Sequence, residues 1–569
     1  MTEVRSHLRV EGEPPARWGA ARPLMPVIDA HRRPRGPYTV AAALLRHLVP
    51  PALERFPDLV EAHDIEILAA APELAGVVPA RRVTIEAALT DDERILVPAP
   101  RRTLRLANGI AEFVREAVRP GQALAVCNVA EADPTDLELL DVMMRRISPA
   151  RLTILLYSGG PEPGPDERDA DALWAVVDRS MREGFLHAVV ELGQRGMART
   201  EAGGAQWWRF AQRTATALGG LGRTAEARAL WDRVRAVSQD PKMHAAGAYG
   251  IAMLDARHPD PARRDLDRAR RWINEAIAIS SLLPDPAERA FKLGFDRNGL
   301  ALIELRHGRL GEALSLVESA LELARELGER HPLHRMVLLA NRAQLLAALG
   351  HTKEALEDYA AAIALDPSFP DYYLERGNLL FKLGQHDEAL ADYERAMRVG
   401  PPLPEAHYNR AELRTVLGDA GGALDDLRRV IELDPGCLDA YINRAGLLAA
   451  AGRDGEARAD VTAGLALSPG NPHLLTVLGQ LETGAGRLAE ARAALDRAVE
   501  NAPDLAAAWG NRGVLRYEAG DPEGAVADLT RAIELDPQAD LFANRAIALR
   551  ALGRTAAAAA DDRRAQLLP

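Results

Sequence analysis

The segment LGQHDEALADYERA, residues 383–396, belongs to a pattern that recurs every 34 residues in the C-terminal part of this 569-residue chain. Three residue types each keep this step over six copies: Pro367, Pro401, Pro435, Pro469, Pro503 and Pro537; Gly350, Gly384, Gly418, Gly452, Gly486 and Gly520; Ala355, Ala389, Ala423, Ala457, Ala491 and Ala525. A fixed period in three residue types indicates an array of similar structural units.

One unit, residues 506–539, shows the local structure that the period encodes. Residues 508–518 and 525–535 carry apolar side chains at helical spacing, and Ala519-Gly520-Asp521-Pro522 between them is typical of a turn. Asp536-Pro537 ends the second helix. Each unit is therefore predicted to be a helix–turn–helix hairpin, which buries its apolar faces by stacking on its neighbours.

The hairpin resembles the tetratricopeptide repeat family, through Trp509, Gly513, Ala525, Ala532 and Pro537. The resemblance implies a mostly α chain, folded as a right-handed α-solenoid, here with a small N-terminal α/β domain. The repeats occupy residues 336–569: six full copies start at Met336, Pro370, Pro404, Leu438, Pro472 and Ala506, and a seventh is one residue short.

Upstream of Met336 the register loosens, but the pattern of helical hairpins persists. Gly308 and Gly222 mark two further repeats, so residues 171–335 are predicted to be divergent helical repeats of the same solenoid. The segment 158–170 is rich in proline, glycine and acidic residues, and is predicted to be a linker.

Residues 1–157 follow a different pattern, which predicts an α/β module. Two short apolar runs, ALAVCNV at 123–129 and LTILLY at 152–157, are typical of buried parallel strands. Between them, Asp133-Pro134-Thr135 opens a helix. Further helices are predicted over residues 37–48, 58–71 and 101–118.

Residues 37–157 resemble the ATPase domain of bacterial signal-transduction ATPases, such as LuxR-type large regulators. In that family an apolar strand ends in two acidic residues and leads into an Ala-Asp-Pro stretch, which Ala132-Asp133-Pro134 matches. The two acidic positions are Cys127 and Asn128 here, and neither supplies a carboxylate to hold Mg²⁺ or to position attacking water.

The phosphate-binding motif of such ATPases is absent as well. No G-x-x-x-x-G-K-[ST] loop occurs, and no lysine precedes Lys242. Two interpretations stay open for residues 1–157: a degenerate, non-hydrolysing ATPase-like domain, or an unrelated small α/β unit.

The composition argues against several classes of function. The net charge is −12, from 70 basic and 82 acidic residues, so nucleic-acid binding is not favoured. The two cysteines, Cys127 and Cys437, exclude a disulfide framework and predict a reducing, cytoplasmic location. No apolar run predicts a membrane span. The 14 histidines lack the spacing of a metal site, so no metal and no cofactor are predicted.

The tetratricopeptide resemblance also implies where a ligand binds, because the first helix of each hairpin lines the concave groove in that family. Helix positions 2, 5, 9 and 12 give the groove residues Asp371, Asn378, Phe381, Glu405, Tyr408, Glu412, Asp439, His473, Gln480 and Tyr517. This set is acidic and aromatic, so a clamp for a peptide carboxylate is not expected. Position 6 holds Asn341, Asn409, Asn443 and Asn511, for which bonding to a peptide backbone and packing between helices both stay open.

A second periodic set pairs arginine with aspartate. Position 7 is Arg342, Arg376, Arg410, Arg444, Arg512 and Arg545, and position 23 of the same repeats is Asp358, Asp392, Asp426, Asp460, Asp528 and Asp561. The fifth repeat loses both charges, with Leu478 and Ala494. Because the charges occur together or not at all, each pair is predicted to bridge the two helices of its hairpin within about 4 Å. The alternative that stays open is that repeat duplication copied the arginine and the aspartate together without any interaction between them.

These features predict a non-enzymatic cytoplasmic scaffold or regulator that binds a protein or peptide in the concave groove of the repeat solenoid. The binding segment of the partner is expected to be basic or neutral. No membrane partner is expected, and a homodimer stays open. The alternative function is a nucleotide-dependent signalling regulator that uses an atypical site in residues 1–157.

The missing motif residues predict that residues 1–161 do not hydrolyse ATP or GTP. Cys127 and Asn128 stand where carboxylates are needed, and no lysine is available to hold the phosphates. Calorimetry and a phosphate-release assay on this segment should detect no Mg²⁺-dependent turnover. Micromolar nucleotide binding with turnover would contradict the prediction.

Overall fold

The computed structural model describes residues 6–14, 22–82, 84, 102–162, 164 and 167–568. The chain divides into two compact units, residues 1–403 and 404–569. The first unit contains a small α/β domain followed by helical hairpins, and the described part of the second unit contains helical hairpins alone. The fold is therefore mostly α, as predicted.

A five-stranded parallel sheet lies in the described part of the α/β domain. Its strands are β1 (Leu8–Val10), β2 (Arg22–Pro23), β3 (Ile28–Asp29), β4 (Gln122–Cys127) and β5 (Leu152–Tyr157). Strand β1 pairs with β5, β5 pairs with β4, and β4 also pairs with β2 and β3. Both predicted strands are confirmed, and the apolar sequence of β4 does not alternate because residues 123–127 are all buried.

Among the residues that the structure describes in this domain, five α-helices accompany the sheet: α1 (Thr39–Arg55), α2 (Pro57–Ala62), α3 (Asp64–Ala70), α4 (Arg102–Ala117) and α5 (Pro134–Arg146). Leu44, Ile110 and Leu139 share one core with Leu124 and Ile154 of the sheet. The predicted helix over residues 37–48 continues to Arg55, and the one over 58–71 is divided into α2 and α3.

The N-terminus of α1 is held by side chains of α5. The carboxylate of Asp136 accepts hydrogen bonds from the backbone N–H groups of Val40 and Ala41, both at 3.1 Å. Thr135 Oγ1 accepts a third bond from the N–H of Tyr38 at 3.1 Å. Burial raises the pKa of Asp136 to about 7. These contacts satisfy donors that have no partner inside the helix.

Antiparallel helices follow the α/β domain, and each packs on the next. They are α6 (Ala170–Arg182), α7 (Leu186–Ala198), α8 (Ala205–Gly220), α9 (Thr224–Val237), α10 (Pro241–Ala256), α11 (Leu266–Ser281), α12 (Pro286–Arg306) and α13 (Leu310–Glu326). Phe185 and Ala188, at the start of α7, belong to the core of the α/β domain. The predicted boundaries at residues 157, 170 and 335 stay predictions.

The 34-residue period corresponds to hairpins of two helices. The first to seventh hairpins are α14 (Pro332–Ala348) with α15 (Thr352–Leu365), α16 (Pro370–Lys382) with α17 (His386–Val399), α18 (Pro404–Val416) with α19 (Ala420–Leu433), α20 (Leu438–Ala450) with α21 (Asp454–Leu467), α22 (Pro472–Gly484) with α23 (Leu488–Asn501), α24 (Ala506–Glu518) with α25 (Pro522–Leu535), and α26 (Ala539–Ala551) with α27 (Thr555–Gln566). The first of them begins at Pro332, four residues before the predicted start.

The periodic glycine ends the first helix of each hairpin. Gly384 has a φ of 72°, and its N–H donates to the carbonyl of Phe381 at 3.0 Å. The N–H of Gln385 reaches back to the carbonyl of Leu380 at 3.0 Å. The equivalent glycines from Gly350 to Gly553 have φ between 69° and 85°, which explains why glycine is kept at this step.

Among the described helices, none is both long enough and apolar enough to cross a membrane.

The buried cap of α1 yields a stability prediction. Asp136→Ala leaves two buried N–H groups without an acceptor, which should cost about 1–3 kcal/mol of local stability. Hydrogen exchange of the amides of residues 40–44 should become faster in the full chain. Asp136→Asn keeps an acceptor oxygen and should lose less.

Asp141→Ala is the matched control, because Asp141 lies on the same helix but is exposed, in an ion pair with Arg9. Equal acceleration of exchange in Asp136→Ala and Asp141→Ala would show that the cap does not stabilise α1.

Candidate partner-binding face of the repeats

The first helices of the hairpins form a row on one face of the second unit. Helices α20, α22, α24 and α26 contact one another directly, whereas the second helices α21, α23 and α25 do so much less over the described residues. Closer packing along one row places that row on the inner side of a curved stack. The predicted groove positions from Glu405 to Tyr517 lie on this row, which we name the first-helix face, and Asp371, Asn378 and Phe381 lie on α16, a first helix of the first unit.

The structure places every predicted groove residue on a first helix. Glu412, Asp439, His473, Gln480 and Tyr517 are exposed, and Asp371, Asn378, Phe381, Glu405, Tyr408 and Asn443 are half-buried. Exposed carboxylates and a tyrosine therefore lie on α18 and α20, the first helices of the third and fourth repeats.

Tyr408 is the centre of the most closely connected group on this face. Its hydroxyl accepts a hydrogen bond from Asn443 Nδ2 at 3.0 Å, which joins α18 to α20. Burial raises the pKa of Tyr408 to about 12, and the charges of Glu412 and Asp439 act in the same direction. Glu412 lies one turn after Tyr408 on α18, and Asp439 lies one turn before Asn443 on α20, so both carboxylates are on the helical turns next to this contact.

Two of the position 6 asparagines bond to the preceding hairpin. Asn443 bonds to Tyr408, and Asn341 Nδ2 donates to Asn298 Oδ1 at 2.8 Å. Asn378, a predicted groove residue at position 9, accepts a bond from the hydroxyl of Tyr393 at 2.9 Å within its own hairpin. For Asn341 and Asn443 these contacts correspond to packing between helices, one of the two interpretations that the sequence leaves open.

Asp371, on α16, is bound by a residue that the sequence analysis did not identify. Its Oδ1 accepts a hydrogen bond from Arg105 Nη1 at 3.2 Å, and Arg105 is a buried residue of α4. Arg82 Nη1 also donates to the carbonyl of Gly400, at 3.4 Å. Within the first unit, the α/β domain thus contacts the second repeat, through Asp371 on its first helix and Gly400 after its second.

Bidentate ion pairs join the two helices in six of the described hairpins. In each, the arginine Nε and Nη2 donate to the two aspartate oxygens over 2.6–3.0 Å. The pairs are Arg342–Asp358, Arg376–Asp392, Arg410–Asp426, Arg444–Asp460, Arg512–Asp528 and Arg545–Asp561. The aspartates are only 3–6% exposed and the arginines are half-buried, so each carboxylate lies inside its hairpin.

Aromatic rings at position 4 cover three of these guanidinium groups. The distances to the ring centroids are 5.9 Å for Arg376 over Tyr373, 4.6 Å for Arg512 over Trp509 and 5.6 Å for Arg545 over Phe542. The period of arginine and aspartate was visible in the sequence, and the aromatic residue three positions before the arginine was an available signal that the analysis missed.

Two repeats depart from this pattern. The third has a histidine at position 4, and the fifth has no ion pair at positions 7 and 23. In the third, His407 Nδ1 lies 3.0 Å from Asp426 Oδ1. Burial raises the pKa of Asp426, but the hydrogen bonds from His407 and Arg410 outweigh this effect and bring the pKa below its usual value. In the fifth repeat, Leu478 and Ala494 replace the ion pair by apolar contacts.

Cys127 and Asn128, the two positions that the ATPase resemblance compares with an acidic pair, lie at the carboxyl end of β4. Cys127 is buried, and burial raises the pKa of its thiol. The amide of Asn128 donates to Asp29 Oδ1 at 2.9 Å and to the carbonyl of Pro161 at 2.8 Å. Asp133 caps α5 by accepting a bond from the N–H of Thr135 at 3.0 Å. No group of His, Cys, Asp and Glu in the described part of the chain is arranged to hold a metal ion.

Family models of tetratricopeptide repeats match residues 343–384, 377–415, 408–472, 476–540 and 515–569. The hairpins over these residues are therefore tetratricopeptide repeats, as the resemblance implied. No curated protein matches the chain.

Several solved structures are similar to it. A tetratricopeptide repeat protein from Parabacteroides merdae is 20% identical, with 46% of this chain and 99% of that chain covered and a TM-score of 0.35. YrrB, described as a TPR protein with an unusual peptide-binding site, is 22% identical, with 34% and 97% covered and a TM-score of 0.29. Yeast Tom70 is 15% identical, with 71% and 86% covered and a TM-score of 0.32.

The fifth repeat offers a test of the Arg–Asp pairing. Leu478→Arg alone should lower the free energy of unfolding, because it places a charge beside apolar neighbours such as Val461. Adding Ala494→Asp should recover part of the loss. A double-mutant cycle measured by urea denaturation should give a favourable coupling of about 0.5–3 kcal/mol.

A cycle on Asp425 and Arg428 is the control, because that pair is exposed and should couple by about 0–1 kcal/mol. Strict additivity of the two changes in the fifth repeat would contradict the pairing.

Proposed function

We propose that this protein is a non-enzymatic scaffold whose first-helix face binds a protein or peptide through a basic or neutral segment. The observation that carries the proposal is the group around Tyr408, whose hydroxyl is bonded by Asn443 at 3.0 Å, with the exposed carboxylates of Glu412 and Asp439 one helical turn from Tyr408 and Asn443 respectively. That the predicted groove residues contact a partner stays a prediction.

The chemistry of this face supports a partner with positive charge. Glu412 and Asp439 are exposed, and neither forms an ion pair with another residue that the structure describes. A basic segment would neutralise these carboxylates, while aromatic side chains such as Tyr408 and Tyr517 would provide apolar contact area. Long-range attraction between the acidic first-helix face and a basic segment of the partner would also accelerate association at low salt.

The proposal includes a cytoplasmic location and a non-hydrolysing α/β domain. The chain has two cysteines in all, Cys127 and Cys437, and this low count supports a reducing compartment. The bonds of Asn128 to Asp29 and Pro161 support a structural role for the strand end that an ATPase would use. In the proposal, this domain belongs to the scaffold rather than to a nucleotide-dependent regulator.

Charge reversal tests the proposed binding face. Glu405→Lys, Glu412→Lys and Asp439→Lys in one variant should weaken binding of a fluorescein-labelled peptide of alternating lysine and alanine by about tenfold or more. Fluorescence anisotropy of the full chain would measure the dissociation constant. For the unaltered chain, affinity should fall as salt rises, because salt screens exposed charges.

Asp425→Lys, Glu500→Lys and Glu534→Lys make the matched control. These three acids are exposed on second helices, so the net charge changes equally while the first-helix face is untouched. An equal loss of affinity in both variants would contradict the proposal, and so would tighter binding of the corresponding glutamate peptide.

A further inference from the structure

Guanidinium groups recur inside this chain against the same two partners, a carboxylate and an aromatic ring. Arg512 pairs with Asp528 at 2.8 Å, and its guanidinium carbon lies 4.6 Å from the ring centroid of Trp509. Arg376 is held in the same way by Asp392 and Tyr373. A planar cation with several donors suits both partners, because it stacks on a ring and bonds to two oxygens at once.

Tyr408 presents the same two kinds of partner on the first-helix face. Asn443 fixes its hydroxyl at 3.0 Å, so the ring is held in place before any ligand arrives. Glu412 lies one turn further along α18, and Asp439 lies on α20. Both carboxylates are exposed, and among the described residues neither has a cation within ion-pair distance.

The first unit contains an acid at the same repeat position that is already bound by an arginine. Asp371 and Asp439 both occupy position 2 of their repeats. Asp371 is bound at 3.2 Å by Arg105, an arginine of another domain that lies 266 residues away in the sequence. An acid at this position therefore already accepts the arginine of a folded domain.

We propose that Tyr408, Glu412 and Asp439 form a receptor for an arginine side chain of a partner protein. It is the counterpart, in the second unit, of the contact that Asp371 makes with Arg105 in the first. The inference rests on the proposed function and makes it narrower, because it names arginine rather than any basic residue.

Lysine should bind this receptor less well than arginine. The lysine ammonium is a compact, strongly hydrated charge, which loses more hydration against a ring and has no planar pair of donors. The aromatic ring therefore sets the preference between the two cations, and the carboxylates set the overall affinity for positive charge.

Two fluorescein-labelled peptides test the receptor on the full chain, one of alternating arginine and alanine and the other with lysine in place of arginine. Fluorescence anisotropy should give a dissociation constant about tenfold lower for the arginine peptide. Tyr408→Leu should remove this difference, Tyr408→Phe should keep most of it, and Asp439→Asn should weaken both peptides. Asp425→Asn, on a second helix, should change neither affinity.

The outcomes separate this inference from the proposed function. Equal affinity for both peptides, or a preference for arginine that survives Tyr408→Leu in a variant with unchanged circular dichroism, would overturn the arginine receptor and leave a basic-segment scaffold standing. Binding of neither peptide would overturn both.

Discussion

Each repeat hairpin can bury its apolar side chains only against its neighbours, and the rest of the structure depends on this constraint. Leu474 of the fifth hairpin shares a core with Ala445 and Val461 of the fourth. Leu475 shares the next core with Ala508 of the sixth. Stacking of this kind aligns the first helices in one row, so side chains at the same position of successive repeats come to lie side by side.

This row explains how polar groups acquire partners that no single hairpin provides. Asn443 reaches Tyr408 from the next repeat, and Asp439 lies one turn before Asn443 on the same helix. Inside the hairpins, the aspartates of the Arg–Asp pairs are buried and the arginines are half-buried, and we expect such a pair to contribute to register more than to net stability. The fifth repeat is consistent with this, because it folds into the same hairpin with Leu478 and Ala494 instead.

The hairpins and both long strands could be predicted from the sequence because their signals are local. The turn of each hairpin needs a residue with positive φ, so glycine recurs with the repeat period. A buried strand is recognised by its continuous apolar sequence. Other features could not be predicted. Helix α1 runs to Arg55 through two prolines because Leu48, Val49 and Ala52 are buried. The contact between Arg105 and Asp371 joins residues far apart in the chain, and nothing in the helical pattern of α4 distinguishes this arginine from an exposed one.

The central claim is that a partner's basic segment binds the first-helix face of the second unit. Hydrogen exchange of the full chain, with and without the arginine–alanine peptide, tests it most directly, because bound ligand slows exchange where it stabilises backbone hydrogen bonds. The account predicts slower exchange in α18 and α20, residues 404–416 and 438–450, with α19 and α21 less affected. Protection confined to the second helices, or to the α/β domain, would contradict it.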